Sequence, residues 1–299
     1  MKNNTTIIFS NLRNTSIIGT FFFLWLAITF EESIENIFAY LLILTFGLVH
    51  GANDIKLIEK VGIFKKANFL IVLVYYILFI LFNCILFYFI PAVALILFVL
   101  FSAYHFGEQH WLSSLKETSF IRSLFFLSYG LFIFFLLFKA HSAAVNEIIS
   151  AITGVAFSTQ FYTSSLILTA GLVVVLFAVL HIKRNVFRQI VKELFLLLVF
   201  FIVFNTASLL WSFAIYFILW HSIPSLVDQI FFLYGNFSSS SIKKYIKASL
   251  FYWLVAVIGL VLALFFLKET MEESLALFFS FLAAITFPHV LVINKLNHS

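Results

Sequence analysis

The chain has 299 residues, of which 63% are hydrophobic and only 10% charged, with a mean hydropathy of +1.12. Soluble domains run at about 45–50% apolar and about 25% charged, so a water-soluble globular protein is excluded. A formal charge of +5, spread over short segments, offers no nucleic-acid surface, and the single cysteine, Cys84, leaves neither an intrachain disulfide nor a thiolate metal site.

Residues 1–15 are mostly polar, with Lys2 and Arg13, and an apolar run follows at 16–30. Glu31 and Glu32 come next, where a secretory leader would carry small residues for cleavage, so a retained first helix is expected. A bilayer is crossed by about 20 apolar residues. Ten runs approach that length: 16–30, 36–52, 68–89, 91–106, 120–138, 165–182, 193–209, 211–232, 249–267 and 274–293. Residues 143–157 are semi-apolar and read as an interfacial or re-entrant helix on the outer side. The longest linker is the serine-rich stretch 237–241, and no internal repeat is visible.

Charge placement gives the topology. With the N-terminus in the cytoplasm, the inner segments hold Lys2, Arg13, Lys56, Lys60, Lys65, Lys66, Lys116, Arg122, Lys183, Arg184, Arg188, Lys192, Lys243, Lys244, Lys247 and Lys295. The outer segments keep only Lys139 and Lys268, beside Glu31, Glu32, Glu35, Glu269, Glu272 and Glu273. This one-sided distribution is the positive-inside pattern, and an odd helix count would break it. The expectation is an all-α, polytopic membrane bundle of about ten helices. It forms one domain over 1–299, with both termini cytoplasmic, in the inner (cytoplasmic) membrane.

On that topology His50 ends helix two and His105 ends helix four, both toward the inner face. His289 lies about 22 Å along helix ten, again inward, and His221 sits near the middle of helix eight. A lone intramembrane histidine is commonly just hydrogen-bonded to a neighbour. Four at matched depth, two beside proline and two beside acidic residues, point to a shared metal or proton site. Neutral imidazole suits Fe, Zn, Cu or Ni, and no thiolate is at hand. Asp54, four residues after His50, is placed to orient that ring; Glu108 and Gln109 are placed to do the same for His105. His110 is a further candidate, as fifth ligand or support. Pro224, after His221, frees the carbonyl of Trp220 and kinks its helix, and Pro288 repeats the device before His289. Tyr104, Trp111 and Trp220, beside the candidate ligands, are expected to wall a pocket.

Four motifs carry a resemblance: G-L-V-H-G-A-N-D at 47–54, S-A-Y-H-F-G-E-Q-H-W at 102–111, W-H-S-I-P-S-L at 220–226 and F-P-H-V-L at 287–291. Together, and in this order, they resemble the bacterial Brp/Blh family of β-carotene 15,15'-dioxygenases. The resemblance implies a membrane enzyme dependent on iron(II), Fe(2+), that splits β-carotene with O2 into two retinals. Members often supply retinal-binding rhodopsins. It assigns metal-ligand roles to His50, His105 and His221. Some members carry another proposed ligand histidine four residues later, where this chain has Ser225; His289 then fills the fourth place. The alternative is a transporter of divalent metal or protons, which would more commonly show repeats and a midplane site. If Ser225 marks a lost ligand, a non-catalytic carotenoid- or retinal-binding protein is a third reading.

Overall fold

In lipid every backbone amide must find its partner inside the protein, which leaves helices and closed barrels as spanning structures. The computed structural model describes residues 2–62, 69–112, 114–115, 119–181, 187–267 and 271–297, and all regular structure among them is helical. The helices are α1 (Lys2–Thr29), α2 (Glu32–Leu42), α3 (Leu48–Gly51), α4 (Asp54–Val61), α5 (Phe69–Phe89), α6 (Pro91–Trp111) and α7 (Phe120–Ala140). They continue as α8 (Ser142–Thr153), α9 (Thr159–His181), α10 (Phe187–Thr206), α11 (Leu209–Tyr216), α12 (Ile223–Tyr234), α13 (Ser239–Leu267) and α14 (Met271–Asn297). Two π-helical segments, Ile43–Gly47 and Phe217–Ser222, join α2 to α3 and α11 to α12.

Among the described residues, nine helical stretches are long and apolar enough to cross a membrane. The remaining expected span, 193–209, falls in α10, outside those nine. The second span runs on past residue 52 through a turn into α4, and the fourth continues helical through Trp111. The serine-rich 237–241 stretch is no free loop: Ser238 Oγ accepts from the Ser241 amide at 3.2 Å and α13 starts at Ser239. Residues 143–157 supply α8, which ends where Gly154 adopts φ +71°, a left-handed C-cap. Lys65, Lys66, Lys116, Lys183, Arg184, Lys268 and Glu269 lie outside the described residues, as do the side chains of Lys2, Arg188, Glu272 and Glu273.

The bundle has an inside and a rim. α7, α11–α12 and α14 are its most buried helices. α5, α9 and α13 turn large apolar side chains outward, among them Leu70, Phe82, Ile167, Val174, Phe251 and Phe265. Such a surface suits hydrocarbon as solvent. Without a hydrophobic force between helices in lipid, association rests on close packing and small residues. α6 and α7 show it plainly. A Cβ on Gly107 would stand 1.9 Å from the Phe126 carbonyl oxygen, and one on Gly130 would stand 1.8 Å from that of Ala103. These two glycines bracket His105 and set how deeply its helix sits.

Candidate metal centre

His50 on α3, His105 on α6, His221 in the second π segment and His289 on α14 converge and are all buried. Their ring centroids stand 4.6 Å apart for His50–His289, 4.8 Å for His105–His221, 5.2 Å for His50–His221 and 5.6 Å for His105–His289. Imidazoles bound at about 2.0–2.1 Å hold their centroids about 3.2 Å from an ion, so neighbours in a tetrahedral or octahedral shell lie about 4.5–5.2 Å apart. Three of the four spacings fall in that range, and His105–His289 is longer. His50, His221 and His289 form the tightest group, offering nitrogens within 4.8 Å of one another. His105 faces the same opening from α6.

Hydrogen bonds decide which nitrogens point inward. His50 Nδ1 donates to the Gly47 carbonyl, and His289 Nδ1 donates to Asp54 Oδ1 at 2.9 Å. Both rings are thereby held as Nδ1–H tautomers with Nε2 carrying the lone pair. Among the described residues, His289 Nε2, His221 Nδ1 and both nitrogens of His105 have no partner. A buried polar atom left unpaired costs about 1–3 kcal/mol. His50, His221 and His289 are close enough together to bind a metal ion, which would satisfy ring nitrogens left unpaired here.

The backbone explains how the sequence reaches this arrangement. π-turns widen a helix, leave carbonyls without their usual donors and recur at functional sites. Here side chains take up several of them. Trp253 Nε1 donates to Leu44 at 2.6 Å, His50 to Gly47, Ser16 Oγ to Leu219 at 2.8 Å and Gln109 Nε2 to His221 at 3.1 Å. The two π segments also approach closely: a Cβ on Gly47 would lie 2.8 Å from Phe217 Cε1. The expected disruption at Pro224 therefore takes the form of a π segment just ahead of it, whereas α14 runs unbroken through Pro288.

A protein-family model described as beta-carotene 15,15'-dioxygenase matches residues 41–297, a stretch containing all four histidines. The chain belongs to that family. No curated protein and no solved structure matches it. As a family member the chain is a beta-carotene dioxygenase, and its helices are those of a multi-pass membrane protein.

For this dioxygenase the supporting residues sit differently from the expectation. Asp54 serves His289 rather than His50, because the turn at residues 52–53 swings the carboxylate onto α14; Tyr76 on α5 donates to its other oxygen at 2.7 Å. Glu108 does not reach His105. It accepts from Tyr104 at 3.3 Å and Asn297 at 3.0 Å, tying α6 to the end of α14. Gln109 spends its amide on the π segment, as above. His110 points away from the centre toward α7 and α10, pairing with Glu193 at 2.9 Å and stacking on Tyr129. Ser225 accepts from Gln229 at 3.0 Å, and Gln229 accepts from Tyr245, whose hydroxyl also lies 3.3 Å from the His50 carbonyl. Tyr76, Gln229 and Tyr245 have no motif around them and were not legible from sequence.

An apolar cavity of ≈ 120 Å³ opens beside the histidines. Phe106 and Phe217 line it on the side of the histidines, their rings 4.2 and 5.5 Å from that of His221. The expected walls are elsewhere. Tyr104 packs on Phe126, Trp111 sits among Phe125, Tyr129 and Phe177, and Trp220 donates to Thr20 and packs on Phe200. Neighbours in sequence to a ligand point to other helix faces, and residues three or four away share its face.

Proposed function

We propose that the chain cleaves β-carotene at its central double bond into two retinals, using iron(II) held by His50, His105, His221 and His289. The observation that carries this reading is the convergence of four buried imidazoles, with four unpartnered ring nitrogens among them, beside an apolar cavity. The all-nitrogen donor set fits a borderline metal ion such as iron(II). When bound, iron(II) would supply the dioxygen chemistry that side chains lack. The protein's own part is to present neutral imidazoles, exclude water and hold a polyene in place. Asp54 and the Gly47 carbonyl fix two tautomers, and the phenylalanine-rich cavity admits a carotenoid from lipid while giving water nothing to bond. In the overall reaction the central C=C breaks and each carbon takes one oxygen atom from O2. The family match favours this over transport of metal or protons. Retinal made in the bilayer would be available to a retinal-binding rhodopsin, and the inner membrane is the proposed location.

The test is co-expression in a bacterium that accumulates β-carotene. Retinal should appear as the colour fades, and His105→Ala should lower it at least a hundredfold at equal membrane abundance. Unchanged carotene with the wild-type chain present and iron supplied would refute the reading.

A further inference from the structure

The cavity is lined by several helices, α8 among them. Its sides come from one end of the bundle: Leu95 to Phe106 on α6, Phe134 to Phe138 on α7, Leu209 to Phe217 on α11 and the π segment, and Phe279 to Thr286 on α14. At 1.5 Å per residue these stretches run about 12 Å along α11 and about 16 Å along α6. Across the end lies α8. Val145, Ile148, Ile149 and Ile152, at the i, i+3, i+4, i+7 spacing of one helix face, all line the cavity. Glu147 and Ala151 on the other face are exposed.

On the proposed function, half of the substrate is a chain of nine bonds from the central carbon to a terminal ring. An extended chain advances about 1.2 Å per bond, as extended backbone does, so half of β-carotene reaches about 15 Å with its ring. The helix stretches that line the cavity are of the same order, about 12–16 Å long. We infer that α8 is the stop for one terminal ring, and that the separation between its Val145–Ile148–Ile149–Ile152 face and the histidines selects the bond that is cut. Apolar pockets hold a polyene without directional contacts, so its position along the cavity depends on what it abuts. The stop is a specificity determinant and touches no metal ligand, so its alteration should move the cleavage point rather than abolish chemistry.

The experiment rests on the proposed activity and separates the two claims. Wild type, Ile149→Ala/Ile152→Ala and Ile149→Trp are expressed in β-carotene-accumulating cells, and the aldehydes are resolved by chromatography. The wild type should give retinal. The double alanine variant deepens the cavity, so a share of at least one tenth of its product should be aldehyde pairs longer and shorter than retinal. Ile149→Trp should lose at least tenfold more activity on β-carotene than on an apocarotenal lacking one ring. Retinal alone from the alanine variant, or equal loss on both substrates by the tryptophan variant, would overturn the stop while leaving the activity standing. No aldehyde from the wild type would overturn both.

Discussion

Asp54 shows how one side chain governs another at a distance of 235 residues. It is the first residue of α4, where a carboxylate is favoured by the helix dipole, and it is buried between His289 on α14 and Tyr76 on α5. Asp54→Asn keeps the shape but lets the amide face either way, so the His289 tautomer is no longer enforced. Loss of such a partner typically costs 10–100-fold in metal affinity or activity. Iron retention against a graded chelator should fall by that factor in Asp54→Asn, and by less in Tyr76→Phe, which leaves the carboxylate in place. Equal retention in all three proteins would remove Asp54 from the site. At this scale the sequence revealed the candidate ligands and the presence of a nearby acid, because polar groups in hydrocarbon stand out. It misassigned the acid's partner, since a four-residue spacing assumes an unbroken helix and the chain turns at residues 52–53.

At the scale of elements, two devices set the ligand positions. The first π segment ends three residues before His50 and the second carries His221, and carbonyls of both are served by side chains from α1, α6 and α13. The α6–α7 pair then brings His105 in through a glycine contact with no room for a methyl group. Gly107→Ala or Gly130→Ala must push two backbones apart and should destabilise the protein by about 1–3 kcal/mol. Thermal unfolding in detergent should show the loss, while Gly171→Ala on α9, with nothing within 4 Å, should be neutral or slightly stabilising. A matching response at all three positions would contradict the packing account. Helix existence was legible from runs of apolar residues. The π turns were not, because residues 43–47 and 217–222 carry no compositional mark beyond a glycine in the first and a proline two residues past the second.

At the scale of the whole molecule, hydropathy gives most of the spans but not which helices are neighbours. In lipid both faces of a helix are apolar, so the periodic signal that orders a soluble bundle is absent. The sorting of α5, α9 and α13 to the rim and of α7, α11, α12 and α14 to the interior follows from packing alone. Sequence depth did place four imidazoles at one level, and the bundle supplies what depth could not: their convergence, and the cavity that meets them on one side. The claim that unites these features is that the four histidines hold one iron ion. Metal analysis of the purified wild type beside His289→Ala tests it most directly. About one iron per chain should be found in the wild type, with at least a tenfold loss in the variant. Sub-stoichiometric iron in active wild-type protein, or iron retained when His289 is removed, would contradict the account.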